Sequence, residues 1–241
     1  MTLVRELDYR LRWMDFDRYG RIQPFALFDL CQDIATVHAE EMGISRDVMI
    51  AKGVFWAVVR QKVEIVKDPG YFQNVRVRTW PHTMTRFSFL RDFFIRDEAG
   101  DLLAKATSEW VLMDLETRKF ASVKDYLEVP GAFDEARAFE RKPRKLPDFE
   151  EGNCPVVEIV PGFTDVDLNG HVNNAKYADF VVNALNPGDE GAMKSIQIDY
   201  RHEALPGVPL AMHTLVEDGM VRSKGLKEDG TIAFACAIEL R

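Results

Sequence analysis

The chain has 241 residues, of which 46% are hydrophobic and 29% charged, enough to bury one large core or two small ones. Its net charge of -8 and pI near 5.2 leave no basic footprint for nucleic acid. Its apolar runs, such as Val54 to Val59 and Ile232 to Ile238, fall far short of the roughly 20 residues needed to cross a bilayer. The N-terminal stretch is charged from Arg5 onward and has no apolar h-region, so no signal peptide is expected. Cys31, Cys154 and Cys236 are widely spaced, odd in number and without metal spacing, which reads as reduced thiols in a cytoplasmic protein.

In chain order, the first element is a helix. Leu27, Leu30, Cys31, Ile34, Val37 and Met42 recur at three and four residues, and Gly43 stops the pattern. Strand patterns follow at Val75 to Thr79, Phe87 to Ile95 and Leu102 to Met113. Turn signals separate them at Asp68-Pro69-Gly70 and at Asp97 to Gly100. From Gly131 to Gly152 the chain is rich in charge and proline, as linkers are. A second helix is expected at Tyr177, Val181, Ala184 and Leu185, ended by Asn186-Pro187-Gly188. Strands then recur at Ile196 to Tyr200, Val208 to Leu215 and Ile232 to Leu240.

The two halves share a repeat. Trp13 to Leu30 (WMDFDRYGRIQPFALFDL) aligns without a gap on Phe163 to Phe180 (FTDVDLNGHVNNAKYADF), with Asp15, Asp17, Gly20 and Asp29 matching Asp165, Asp167, Gly170 and Asp179. Each copy leads into a helix and then into strands, so the chain reads as two α+β units of one plan. The expected boundaries are 1–130, a linker at 131–152, and 153–241.

Two segments carry candidate chemistry. Asp165 to Tyr177 (DVDLNGHVNNAKY) crowds Asp, Asn and His before a helix start, whose unpaired N–H groups favour developing negative charge. Asp199 to Gly207 (DYRHEALPG) places Glu203 at a strand end, where partial burial would make it a useful base. No G-x-S-x-G elbow, G-x-G-x-x-G loop or Walker loop is present, and Pro206 removes an H-E-x-x-H zinc pair at His202-Glu203. His38, His82 and His213 read as structural or surface residues.

These segments resemble the acyl-ACP thioesterases of plant plastids and bacteria. DVDLNGHVNNAKY is similar to that family's D-x-N-x-H-V-N-N-x-K-Y, and IDYRHEALPG to its E-Y-R-R-E-C-G. RVRTWPHTMTRFSFLRDFFI and SEWVLMDLETRK resemble its first-half strands, in the right order. The resemblance implies an α+β fold of two tandem hotdog domains, each an antiparallel sheet wrapped around a long central helix. It implies hydrolysis of fatty acyl thioesters on acyl carrier protein, without cofactor or metal.

By matching position, the resemblance puts catalytic roles on Asp167, Asn169, His171 and Glu203. Glu203 would activate water or attack directly. Asn169 and His171 would orient substrate and water, and Asp167 would hold its neighbours. Two departures stand out. Ala204 replaces a frequent Cys, which rules out a thiolate there, and His202 replaces a frequent Arg. His202 reads as a strand histidine pointing elsewhere, the alternative being an electrostatic influence on Glu203.

In the first repeat copy, Tyr19 and Arg21 stand where Asn169 and His171 stand, so one site per chain is expected, with the first half supplying the acyl pocket. Arg137, Arg141, Lys142, Arg144 and Lys145 are either solvated linker charge or a docking strip for the acidic carrier protein. Other readings are an acyl-CoA thioesterase, a hotdog dehydratase on 3-hydroxyacyl thioesters, and a non-catalytic acyl-binding protein. A monomer or a homodimer fits a tandem pair.

Overall fold

The computed structural model describes residues 3–127, 136–152, 154–188 and 191–241. Its elements run, in chain order, β1 (Arg5–Arg10), α1 (Pro24–Glu41), α2 (Arg46–Ala51), β2 (Val54–Ile65), β3 (Asn74–Met84), β4 (Ser88–Asp97), β5 (Leu102–Asp114) and α3 (Val123–Tyr126). The second half holds β6 (Val156–Ile159), α4 (Lys176–Leu185), β7 (Met193–Tyr200), β8 (Leu210–Glu217), β9 (Met220–Leu226) and β10 (Ile232–Leu240). A short 3-10 turn precedes each long helix, at Trp13–Asp15 and Phe163–Asp165.

All strands join one antiparallel ten-stranded sheet in the order β1-β3-β4-β5-β2-β7-β10-β9-β8-β6. The first-half strands lie on one side and the second-half strands on the other. The seam is β2 against β7, with Arg60↔Asp199 through Glu64↔Ser195 in register. Each half lays its helix on the same face of the sheet, and α1 and α4 touch each other across the seam.

Local chemistry accounts for the helices. Pro24 occupies the first turn of α1, where its missing N–H costs nothing, and Gly43 follows the helix at φ +68°. Asn186 takes the left-handed cap of α4 at φ +44°, with Pro187 next. The helix-facing core interleaves Leu27, Phe28, Ile34, Tyr177 and Val181 with strand residues Val63, Val77, Phe93, Ile196, Ile198 and Phe234. Burial of such side chains, each worth about 1.5–3 kcal/mol, holds helix and sheet together. Cys31 and Cys236 belong to this core, whereas Cys154 is partly exposed.

The inward position on α1 falls on His38 rather than on Val37, which is only partly buried. His38 Nδ1 lies 2.8 Å from the guanidinium of Arg91, which is buried on β4 and lies 3.2 Å from Thr79 Oγ1. Burial lowers the Arg91 pKa to about 10.

The segment expected as a linker runs as a strap where it is described. Residues 131–135 lie outside the described residues. From 136 to 152 the chain forms no helix or strand, yet its backbone is tied across the sheet face opposite the helices. That face carries polar residues because Gln197 and Asp199 alternate with the inward Ile196 and Ile198. The Leu146 N–H donates to Asp199 Oδ2 at 2.7 Å, the Ala138 N–H donates to Asp92 Oδ2 at 2.7 Å, and Gln197 Nε2 donates to the Arg144 carbonyl at 2.8 Å. Lys224, almost fully buried, bonds Asp148 and the Phe149 carbonyl. Asp199 also receives both Nε and Nη2 of Arg60, at 2.6 and 3.0 Å. The side chains of Arg141, Arg144 and Lys145 remain exposed. No helix among the described residues is long and apolar enough to cross a membrane.

Candidate active site

The two repeat copies fold alike, and their shared residues explain why. Asp15 and Asp165 each accept a backbone N–H three residues upstream, from Arg12 at 2.6 Å and from Gly162 at 2.8 Å. Asp17 and Asp167 each turn Oδ1 onto the N–H two residues on, at Tyr19 (2.9 Å) and Asn169 (2.8 Å). Gly20 and Gly170 follow at φ +81° and +77°, a conformation that suits glycine. Three of the four identities therefore build the loop. Asp167 does for its loop what Asp17 does for a loop without the constellation.

The copies diverge in what the loop presents. In the first, Arg21 Nε donates to Asp17 Oδ2 at 2.8 Å, and the guanidinium lies 4.7 Å from the Tyr19 ring. In the second, His171 replaces Arg21 and turns outward to Glu203, with Nε2 3.1 Å from Oε2. A carboxylate oxygen accepts, so His171 Nε2 is the donor in this contact. Asp167 and Asn169 share the loop with His171, but among the described residues their side-chain bonds do not reach the His171–Glu203 pair.

Glu203 is held by its neighbours' backbone. After β7 ends, the N–H groups of Arg201 and His202 both reach the Ala233 carbonyl at 2.9 Å. The Ala204 N–H donates to Tyr177 Oη at 3.0 Å, and the Val172 N–H donates to the Ala204 carbonyl at 3.3 Å. The residue after the histidine is thus bonded to the residue after the glutamate, which sets the two side chains face to face. Burial raises the Tyr177 pKa to about 12; the Ala204 N–H opposes this, and the Glu203 and Asp167 charges add to it. Beneath, Tyr200 Oη lies 2.9 Å from both Gln61 Oε1 and the Asn174 carbonyl, tying the start of α4 to the first half's seam strand.

Glu203 is about half exposed, at 48%, and its partners are His171 and the guanidinium of Arg118, 3.3 Å from Oε1. One expectation changes. The N–H groups leading into the helix were expected to be able to stabilise an oxyanion, but three of them, at and just before its start, are already used. Asn173 N–H donates to the Asp165 carbonyl, Ala175 N–H to Asn173 Oδ1, and Lys176 N–H to the Asn173 carbonyl. Among the described residues, the side chain of Asn169 is another candidate donor. Arg46 Nε donates to Asn169 Oδ1 at 2.8 Å. Arginine has no acceptor, so the amide oxygen faces it and the NH₂ of the exposed Asn169 side chain turns away from it. Among the described residues no cluster of His, Cys, Asp and Glu could hold a metal ion.

The comparisons with known proteins agree with this architecture. Residues 3–129 match the acyl-ACP thioesterase N-terminal domain and residues 153–234 match the acyl-ACP thioesterase C-terminal domain. The chain belongs to the acyl-ACP thioesterase family. A chloroplastic acyl-[acyl-carrier-protein] hydrolase of Cuphea viscosissima is 30% identical over 186 residues, covering 71% of this chain and 45% of the relative. The chloroplastic oleoyl-acyl carrier protein thioesterase 2 of Arabidopsis thaliana is 31% identical over 195 residues, covering 73% and 53%. The chain thus spans about half the length of the curated relatives it matches. Among solved structures, the 12:0-ACP thioesterase from Umbellularia californica superposes with a TM-score of 0.90 at 23% identity, covering 100% of this chain and 98% of the other. That likeness bears on the fold, and the expected α+β tandem-hotdog class is what it shows.

Within that family fold, sequence reasoning missed Arg46 and Arg118. Both come from the first half, which was expected to supply only an acyl pocket. Each touches a site residue more than 80 positions away, 123 for Arg46 and 85 for Arg118. Arg118 lies within the SEWVLMDLETRK segment that carried part of the resemblance, but nothing in that segment signals a contact across the seam. His202, by contrast, is exposed after the end of β7.

Proposed function

We propose that the chain hydrolyses fatty acyl thioesters carried on acyl carrier protein, in the cytoplasm, through Asp167, Asn169, His171 and Glu203 of its second half. The observation that carries this reading is the His171–Glu203 pair at 3.1 Å beside an amide whose donor end turns away from Arg46. Membership of the family, and the names its relatives bear, supply the substrate class.

In this mechanism the Asn169 NH₂ holds the thioester carbonyl oxygen, and His171 aims Glu203 at a water. Glu203 takes the water's proton as the water oxygen bonds to the carbonyl carbon. The oxyanion so formed rests on Asn169, a kind of interaction worth about 10²–10³ in rate. Collapse breaks the C–S bond, and the proton on Glu203 passes to the departing sulfur. Asp167 keeps Asn169 in place by accepting the Asn169 backbone N–H. Ala204 offers no thiolate, so the attack starts from Glu203, through water in this reading and by its own oxygen in the alternative.

The test is thiol release from palmitoyl-acyl carrier protein by wild type and by Glu203→Gln, with folding checked by circular dichroism. Release by wild type, and a loss of about 10²-fold or more in the variant, is the expected result. A variant as fast as wild type removes Glu203 from the mechanism. Rates on the matched coenzyme A thioester separate the two carriers.

A further inference from the structure

The carboxylate of Glu203 is gripped at both oxygens, and only one grip comes from its own half. Oε2 faces His171, while Oε1 faces Arg118 Nη1 at 3.3 Å. Arg118 stands on the turn that follows β5, and that turn is heavily built. Asp114 Oδ1 accepts the Thr117 N–H and hydroxyl, both at 2.8 Å, and the Glu116 N–H at 3.2 Å. The Arg118 N–H returns to the Asp114 carbonyl at 3.0 Å, and the Asp114 N–H donates to the Lys119 carbonyl at 2.9 Å. Bonds from Thr117 also hold the Asp114 carboxyl below its ordinary range. Arg118 itself sits at φ +56°, a strained position for a side-chain-bearing residue. Its guanidinium packs 4.9 Å from the ring centroid of Phe55 on β2. Stack and turn together fix where the charge is delivered.

We propose that Arg118 is a positioning residue for Glu203, fixing the rotation of the carboxylate so that the edge facing His171 is the one offered to water. The proposal rests on the role given to Glu203 above. Orientation and electrostatics predict opposite signs. A cation beside a base weakens it as a proton acceptor, so if charge alone mattered, removing Arg118 would speed the reaction. If the two-point grip matters, removal lets the carboxylate turn, and the reaction slows.

The experiment measures kcat and KM on palmitoyl-acyl carrier protein for Arg118→Gln and Arg118→Lys, each in wild type and in Glu203→Gln. Expected is a fall in kcat of about two- to fivefold for Arg118→Gln, the scale of a half-exposed ion pair, with KM little changed. Arg118→Lys, which keeps one charged donor, recovers most of the loss. In the Glu203→Gln background, followed by single turnover at high enzyme concentration, Arg118→Gln costs nothing further. Added ethylguanidinium partly restores Arg118→Gln and leaves wild type unchanged. If Arg118→Gln melts early, Arg118→Asn replaces it, since asparagine tolerates positive φ. An unchanged or raised kcat, or an equal loss with and without Glu203, overturns the proposal. Full activity in Glu203→Gln alone overturns instead the assignment of the base.

Discussion

Tyr177→Phe isolates the bond that carries the Glu203 loop. The ring stays, with its edge contacts to Tyr200 at 5.3 Å and Phe234 at 4.9 Å, so the packing contribution is kept. Only the hydroxyl goes, and with it the acceptor for the Ala204 N–H at 3.0 Å. Ala204 is 1% exposed, so water cannot replace the acceptor without the loop opening. A buried donor left unsatisfied costs about 1–3 kcal/mol. At about 2–4 °C per kcal/mol for a chain of this size, the melting temperature falls by roughly 2–12 °C. Hydrogen exchange at the Ala204 amide accelerates, and so does exchange at Val172, which donates to the Ala204 carbonyl. The variant also tests linkage. With the phenol pKa raised from 10.0 to about 12, the folded state keeps a proton that the unfolded chain releases. That stabilisation is complete below pH 10 and is lost as pH rises toward about 12, and Phe removes this part of the alkaline decline. Unchanged melting and an Ala204 amide as protected as in wild type would refute the reasoning.

Three further outcomes are expected. Asp199→Ala strips a buried carboxylate from Arg60, Gln197 and the Leu146 N–H, and should cost about 3–5 kcal/mol in denaturant titrations, the seam and the strap loosening together. Asp179 has its pKa raised chiefly by burial, with Lys176 opposing. Its contribution to stability is therefore full in acid and declines as pH rises through the raised value. Asp179→Asn should melt at or above wild type at neutral pH and lose that advantage in acid. A variant less stable than wild type at neutral pH would count against it. Arg141→Glu with Arg144→Glu, on exposed strap side chains, should leave the fold intact and lower kcat/KM on acyl carrier protein at low salt; an unchanged value rejects docking there.

Much of this architecture could be read because it rests on local chemistry. Both long helices carried their stop signals in Gly43 and Asn186, and both loops carried theirs in Asp17-x-x-Gly20 and Asp167-x-x-Gly170. The seam strand β2 was harder. Only its apolar start drew notice, because Arg60, Lys62 and Glu64 interrupt the run where the strand meets a polar face. The edge strand β1 alternates over only six residues and buries none of them fully, and β6 is almost wholly exposed. The strap looked like a linker because its order comes from side chains of other segments, Asp92, Asp199 and Lys224, gripping its backbone. Of the site, the motif carried His171 and Glu203 together, since their loops are bonded to each other through Val172 and Ala204. Arg46 and Arg118 were invisible for the converse reason: their partners are chosen by the seam.

That seam has an evolutionary consequence. In a pair of identical subunits every substitution is made twice, so a residue that serves its partner's site must also be tolerated beside its own. Here one backbone runs through both units, and Arg118 is free to suit Glu203 without any counterpart having to do the same. The loop at Asp17 could close on its own Arg21 and give up chemistry, while the frame around it was kept to support a neighbour. A single chain can thus divide the work, its first half keeping the repeat loop and lending Arg46 and Arg118 across the seam, its second half carrying the proposed chemistry.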